Sequence, residues 1–317
     1  MTVTMGATAH AAAVRDRWLA HLAMLAFAAL IAGSFTTGAM VTADIHPVPL
    51  NAVRFLLAAV IMGGVAFGVA RNRFAFPAAP WRFGLMGALM AVYFVTMFIA
   101  LTITQPIATS AVFTLLPLMT AATAFVLVGQ RSGPVVLLSL VVAALGAIWV
   151  IFRGDVQALL RFDVGQGELV YLVGCIAYAI YTPLLRRFSR GQPSLVQSFW
   201  TLAASAIWIA LSGIPDILAT DWLHLPPIVW WVVLYLAVGP TAMCFFLIQF
   251  ASLRLPAPKV IAYGYLTPAF VILFEAIAGH GWPTLTIVAG AGVTVLGLVI
   301  LALTKDQQAS PAASVRP

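Results

Sequence analysis

Two charged side chains interrupt long apolar segments of this chain, and they are the residues there that can do the most chemistry. Arg54 follows the run PVPLNAV, and Glu275 follows the run TPAFVILF. An ionisable group at hydrocarbon depth is costly unless it is paired or wet. We expect the two either to pair at an outer gate or to contact a substrate that carries both charges. The alternative is that each side chain reaches the headgroup region separately. Both are also candidates for proton or ion coupling.

Other polar and aromatic side chains within the apolar segments are candidates for the wall of a small-molecule site. Such sites are mostly apolar and contain a few well-placed polar groups. The candidates are Tyr93, Met97, Tyr178, Tyr181, Trp200, Phe246, Gln249 and Tyr263. Gln249 and Tyr178 are favoured, because a polar group in an apolar environment needs a partner. Each of the eight could equally be a packing residue.

Composition excludes most soluble functions. The chain is 63% hydrophobic and 8% charged, whereas soluble proteins carry about 25% charged residues. A lipid bilayer must therefore be its solvent, and the net charge of +7 does not indicate nucleic-acid binding. We predict no enzyme, because HExxH, GxSxG and Gly-rich phosphate loops are absent from the sequence. For the same reason we expect neither a metal nor a cofactor. Cys175 and Cys244 lie in apolar runs and are predicted to be buried thiols.

Apolar runs of about 20 residues recur along the chain, and each is long enough to cross about 30 Å of hydrocarbon as a helix. They predict an all-α integral membrane protein with ten transmembrane helices. The predicted spans are residues 18–40, 49–70, 83–102, 107–128, 134–152, 168–185, 194–213, 227–250, 258–278 and 284–303.

The basic residues predict the orientation of these spans. If both termini are cytoplasmic, every Lys and Arg except Arg54, Arg153 and Arg161 falls on the cytoplasmic side or at its edge. This bias is typical of inner-membrane proteins. We therefore expect a multi-pass protein of a bacterial inner (plasma) membrane.

The second half of the chain repeats the first. The segment from Ser110 to Gln130 is written again from Ile261 to His280, and Pro117 and Pro268 lie 151 residues apart. Five helices per copy would insert the second copy upside down, which predicts two inverted repeats around a central cavity. Pro117, Gly264 and Pro268 are expected to break or closely pack their helices. The expected parts are an N-terminal cytoplasmic tail (1–17), a first repeat (18–153), an outer linker (154–166), a second repeat (167–304) and a C-terminal cytoplasmic tail (305–317).

Four stretches of the chain resemble the EamA-type transporters of the drug/metabolite transporter superfamily. They are GSFTTG at 33–38, the run from Pro47 to Ala59, the run from Ala108 to Leu118, and AYGYLTPAFVILFE from Ala262 to Glu275. The resemblance implies a ten-helix bundle that exports small metabolites, such as amino acids or related compounds, by alternating access. The alternatives are an importer on the same fold and a membrane-embedded enzyme or scaffold. The expected partners are a small-molecule substrate and the lipid bilayer, with the chain acting as a monomer or as a homodimer. Small residues at Ala143, Ala147, Gly290, Thr294 and Gly297 predict packing seams, within the chain or between two copies.

Overall fold

The structure is a computed structural model that describes residues 2–130, 132–152, 154–161, 164–188, 191–252, 254–255, 260 and 262–303. These residues form helices and connecting turns, and no strand occurs among them. The predicted tail at 305–317 lies outside the described residues, as do Arg153 and residues 162–163 of the predicted linker.

In chain order the helices are α1 (Thr2–Ala39), α2 (Pro47–Gly63), α3 (Pro80–Leu101), α4 (Pro106–Phe113), α5 (Leu116–Val128), α6 (Pro134–Ile151), α7 (Val156–Arg161), α8 (Gln166–Phe188), α9 (Ser194–Ser212), α10 (Ile214–Ala219), α11 (Pro227–Leu236), α12 (Cys244–Ser252), α13 (Thr267–Ile277) and α14 (Leu285–Leu303). Two π-helical segments continue this path. Gly64–Val69 extends α2, and Ala237–Met243 joins α11 to α12. A 3₁₀ turn, Tyr263–Leu266, leads into α13.

Eight helical segments of the described chain are long and apolar enough to cross a membrane. They are Trp18–Ala39, Pro47–Val69, Pro80–Leu101, Pro106–Val128, Pro134–Ile151, Gln166–Leu185, Ser194–Ser212 and Pro227–Ala251. Two shorter apolar helices follow, Tyr263–Ile277 and Leu285–Ile300. The shorter pair coincides with the ninth and tenth segments expected from the sequence.

Proline sets where many of these helices begin. Pro47, Pro80, Pro106, Pro134 and Pro227 each occupy a first position of a helix. Proline suits this position because the first N–H groups of a helix have no acceptor within it, and its fixed φ is already helical. The short loops therefore end where the sequence supplies a proline.

The two copies of the repeated segment have similar local structure. In the first copy the helix stops at Phe113 and restarts at Leu116, just before Pro117. In the second copy the 3₁₀ turn ends at Leu266, just before Pro268. Each copy then ends at a glycine in the left-handed region, Gly129 with φ of 67° and Gly279 with φ of 88°. A glycine there caps a helix C-terminus without steric strain.

The helices pack in a pattern that pairs the two halves. The closest packing joins α3 to α8, α6 to α14, α2 to α9 and α3 to α9. Helix α5 packs against α8, and α1 packs against α12 and α13.

The predicted small-residue seam joins α6 to α14 within one chain. A Cβ at Gly146 would stand 2.6 Å from the Gly290 carbonyl oxygen and 2.7 Å from the Thr294 nitrogen. A Cβ at Gly297 would stand 2.6 Å from the Cβ of Ala143. The backbones of the two helices approach this closely because neither carries a larger side chain at the contact.

Candidate functional site

A cavity lies at the centre of the bundle, between helices from both halves of the chain. In this conformation it leaves about 20 Å³ free, which is room for about one water molecule. Its wall comes from α1, α3, α8, the π segment and α12. The lining residues are Phe27, Ile31, Met90, Tyr93, Phe94, Tyr178, Tyr181, Pro240, Cys244, Phe245 and Ile248.

The cavity wall is built mainly from aromatic rings that pack on one another. The Tyr93 ring centroid lies 4.7 Å from those of Phe94 and Tyr178, and Tyr178 lies 5.8 Å from Tyr181. The Tyr171 hydroxyl donates to the Tyr93 hydroxyl at 2.9 Å. This bond satisfies a polar group that would otherwise be unpaired in an apolar interior. The wall is therefore rigid and apolar, with tyrosine hydroxyls and the Cys244 thiol as its polar groups.

Arg54 is fully buried directly behind this wall. Its Cζ lies 4.5 Å from the centroid of the Phe94 ring, and Phe94 lines the cavity. The rings of Phe98 and Phe55 lie 5.3 and 5.8 Å from the same carbon. Cation–π contacts of this kind stabilise a guanidinium away from water. Phe94 is therefore in contact with both the cavity and a buried positive charge.

The position of Arg54 follows from a proline in the π segment. Pro240 has no N–H to donate to the carbonyl of Leu236 four residues earlier. The Thr241 hydroxyl donates to that carbonyl at 2.7 Å and accepts a hydrogen bond from Arg54 Nε at 2.6 Å. The π segment thus carries the acceptor that ties α2 to the cavity wall, and irregular helical segments are frequent at functional sites.

Glu275 has a different partner from the one considered in the sequence analysis. Its Oε2 lies 2.8 Å from His280 Nδ1, and its Oε1 is buried with no hydrogen-bond partner in the described structure. The left-handed conformation of Gly279 reverses the chain after α13, so that His280 contacts Glu275 on that helix. Arg54 and Glu275 do not pair with each other in this structure. They also do not reach the headgroups as free side chains, since they are 0% and 7% exposed.

Polar contacts lie at two opposite ends of the bundle. Where the membrane-spanning part of α1 begins, near Trp18, Asp16 Oδ2 lies 3.7 Å from Arg254 Nε, and His21 Nδ1 lies 2.7 Å from the Tyr263 hydroxyl. We name these two contacts the first latch. At the end of α3, the Thr104 hydroxyl donates to Glu168 Oε1 at 2.9 Å. We name this contact the second latch.

Glycine contacts show that the two latches are at opposite ends. A Cβ at Gly38, near the end of α1, would lie against Phe98 and Leu101 at the end of α3. The end of α1 therefore lies beside the second latch, while the beginning of its membrane-spanning part, Trp18–Ala39, carries the first. The aromatic cavity lies along the bundle between them.

Three of the eight cavity candidates line the cavity, namely Tyr93, Tyr178 and Tyr181. The other five lie elsewhere for reasons that helix geometry explains. Phe246 and Gln249 each follow a lining residue on α12 by one position, so they point about 100° away. Met97 is buried on α3, one turn beyond Tyr93.

The last two candidates have partners outside the cavity. Trp200 lies on α9 against the rings of Phe74 and Phe76, at 5.7 and 5.3 Å. Tyr263 belongs to the first latch. Gly264 packs against α4, since a Cβ there would lie 3.2 Å from the Phe113 ring.

Most of the remaining lining residues carry no signal in the sequence. Phe27, Ile31, Met90 and Ile248 are apolar residues within apolar runs. Phe245 is the exception, because the repeat offset of 151 residues pairs it with Phe94, and both line the cavity. Among the described residues, no group of three or more His, Cys, Asp or Glu could hold a metal ion.

Fold and cavity together define a multi-pass helical membrane protein with a narrow aromatic cavity between its two halves. The model of the EamA-like transporter family matches this chain twice, over residues 18–152 and 165–303. The chain belongs to the EamA-like transporter family, which confirms the resemblance seen in the sequence. It is a transporter and not an enzyme.

Known proteins of similar sequence and fold agree with this class. An uncharacterised transporter of Bacillus subtilis (strain 168), YyaM, is 21% identical over 284 residues, which cover 79% of this chain and 93% of the relative. A protein of known crystal structure is 21% identical and superposes with a TM-score of 0.67. The match covers 92% of this chain and 97% of that one. At this identity the structural match shows the fold alone.

Proposed function

We propose that this protein exports a small metabolite, such as an amino acid or a related compound, from a bacterial cell by alternating access. The aromatic cavity, which is narrow in this conformation, widens to form the substrate site when one end opens. The observation that carries the proposal is the cavity's position between the two latches, with walls supplied by both halves. The direction of transport rests on the family resemblance noted in the sequence.

The packing pattern supports two inverted repeats of five spans each. Counted as spans, α1 is the first, α3 the third, α8 the sixth, and α12 belongs to the eighth. If each span is replaced by the one five places along, the contact of α3 with α8 becomes the contact of α12 with α1. This exchange also turns the contact of α5 with α8 into that of α13 with α1. Both members of each pair are close contacts. The same exchange leaves the contact of α6 with α14 unchanged, because these spans are counterparts. We therefore propose ten spans, with the two shorter apolar helices as the ninth and tenth. The repeats are residues 18–153 and 167–304, joined by the linker at 154–166.

The latches support alternating access, because they occupy equivalent positions in the two repeats. An offset of 151 residues places Asp16 next to Glu168 and Arg254 next to Thr104. Each latch therefore joins the start of the first span of one repeat to the end of the third span of the other repeat. Rocking one repeat against the other would open one latch while the second stays closed.

The basic residues support an orientation with both termini in the cytoplasm of a bacterial inner membrane. In this orientation the first latch faces the cytoplasm, and the second latch faces outward. Arg15, Arg71, Arg73, Arg82 and Arg187 then lie on the cytoplasmic side.

Solute counterflow in proteoliposomes tests the proposal. The purified chain is reconstituted with a pool of labelled amino acids and nucleosides, and exchange is measured for the wild type, Tyr178→Ala and Phe125→Ala. Tyr178 lines the cavity, whereas Phe125 is 55% exposed on the surface of α5 and serves as the matched aromatic control. We expect exchange of one compound class, its loss in Tyr178→Ala, and its retention in Phe125→Ala.

Equal exchange by both variants would contradict the cavity as the substrate site. Exchange that is faster when the substrate is supplied from outside than from inside would favour an importer.

A further inference from the structure

Arg54 places an unneutralised positive charge beside the cavity. Its side chain is 0% exposed, and its guanidinium rests on the Phe94 ring that lines the cavity. Of its nitrogens, Nε donates to Thr241, while Nη1 and Nη2 have no hydrogen-bond partner among the described residues. A guanidinium has five N–H groups to donate, so most of its donors remain unused.

Among the described residues, no carboxylate lies at the cavity to balance this charge. None of the lining residues is acidic. On the described parts of the elements that line it, the acidic residues are Asp16 at one end and Glu168 at the other. Both take part in the latches. In a low-dielectric interior an unpaired charge acts over a longer distance than in water. The cavity therefore has a positive potential.

The charge also lies on one side of the cavity only. In the second repeat, the counterpart of Phe94 is Phe245, and the Ser198 hydroxyl donates to its carbonyl oxygen at 3.5 Å. Ser198 is uncharged, so the Phe94 wall is positive and the Phe245 wall is neutral. A substrate with one charged end and one apolar end fits this polarity.

We propose that Arg54 is a specificity-determining residue that makes the cavity select organic anions with an apolar body. This proposal rests on the proposed function, because it takes the cavity as the substrate site. In the widened cavity, the apolar body packs against Tyr93, Tyr178 and Tyr181, and the anionic group faces the Phe94 side. Organic cations are disfavoured. Aromatic walls alone would attract them, but Arg54 already occupies a face of Phe94 and repels a second positive charge.

Three probes of similar size and different charge test this selectivity in the full chain held in lipid nanodiscs. They are phenylmethanesulfonate, benzyl alcohol and benzyltrimethylammonium, whose charges do not change near neutral pH. Affinity is obtained from the rise of the melting temperature with probe concentration, because a ligand that binds only the folded state stabilises it. We expect the wild type to bind the sulfonate at least tenfold more tightly than the ammonium.

Variants of Arg54 assign the preference to this residue. Arg54→Gln should weaken sulfonate binding about tenfold or more and leave benzyl alcohol binding nearly unchanged. Arg54→Lys keeps the charge and should keep the order of affinities. Arg82→Gln is the matched control. Arg82 also stacks on aromatic rings, those of Trp81 and Phe188 at 5.4 Å, but it does not line the cavity.

Several results would overturn the proposal. These are equal or inverted affinities for the two charged probes in the wild type, no binding of the sulfonate, or an unchanged preference in Arg54→Gln. If Arg54→Gln fails to fold, the order of probe affinities in the wild type and in Arg54→Lys still tests the proposal. Counterflow that is lost in Tyr178→Ala while the wild type shows no anion preference would refute the role of Arg54 and leave the proposed function standing.

Discussion

Replacing Thr241 with valine tests whether its hydroxyl holds the buried Arg54 in place. Valine has nearly the same shape, so the change removes the hydroxyl and little else. The hydroxyl accepts from Arg54 Nε at 2.6 Å and donates to the Leu236 carbonyl at 2.7 Å. Without it, Arg54 keeps its aromatic contacts but loses its hydrogen-bond acceptor among the described residues.

The size of the effect follows from the charge on Arg54. A hydrogen bond to a charged group contributes about 1.5–3 kcal/mol, and Arg54 has no access to water that could replace it. We expect Thr241→Val to lower the free energy of unfolding by about 2 kcal/mol. For a chain of this size that corresponds to a fall in melting temperature of roughly 3 °C.

Thr201→Val is the matched control for this measurement. Thr201 is also fully buried, but its hydroxyl donates only to the Gln197 carbonyl, one turn back in the same helix. Such a bond adds little, because that carbonyl already has a backbone donor. In nanodiscs, the melting temperature of Thr201→Val should be close to that of the wild type. Thr241→Ser should recover most of the stability that Thr241→Val loses. A Thr241→Val variant as stable as Thr201→Val would refute the reasoning.

Two further predictions concern stability, and both use melting temperature in nanodiscs. Gly146→Ala should destabilise the seam between α6 and α14 by about 1–3 kcal/mol, because the new methyl group meets backbone atoms of α14. Gly292→Ala on the open face of α14 should be neutral or stabilising, because alanine favours a helix over glycine by about 1 kcal/mol. Equal effects of the two would contradict the close approach of these helices. His280→Ala should destabilise more than Glu275→Gln, since it leaves a buried carboxylate without its partner whereas glutamine carries no charge. The reverse order would show that His280 does not stabilise Glu275.

Much of the fold can be predicted from local sequence signals. Apolar runs locate the spans, and prolines such as Pro47 and Pro80 mark where helices begin, because the missing N–H costs nothing there. The repeated glycines at Gly129 and Gly279 mark helix ends, because only glycine adopts the left-handed conformation without strain. These features depend on neighbouring residues alone, so they are visible in one sequence.

The cavity could be predicted only in part, because it depends on which helix faces meet. The sequence singles out Tyr93 and Tyr178 as aromatic residues in apolar runs, but it does the same for Trp200, which lies outside the cavity wall. In a span that is apolar on every side, periodicity does not distinguish the faces. The partner of Arg54 is 187 residues away in the chain, and no local pattern links Arg54 to Thr241.

Labelling of Cys244 tests alternating access most directly. Cys244 lines the cavity and is 2% exposed, so a thiol reagent reaches it only when one end opens. The background carries Cys175→Ala, and a membrane-impermeant maleimide is applied to either face of sealed vesicles. Thr104→Val loosens the second latch, and Asp16→Asn loosens the first.

Alternating access predicts opposite changes at the two faces. Thr104→Val should speed labelling about tenfold from the face of the second latch, since it removes a hydrogen bond to a buried carboxylate. It should also slow labelling from the other face, because a larger population of the state open at one face leaves a smaller population of the state open at the other. Asp16→Asn should do the reverse more weakly, because the ion pair it removes is partly exposed. Labelling that rises at both faces in either variant would contradict alternating access and indicate a continuous pore.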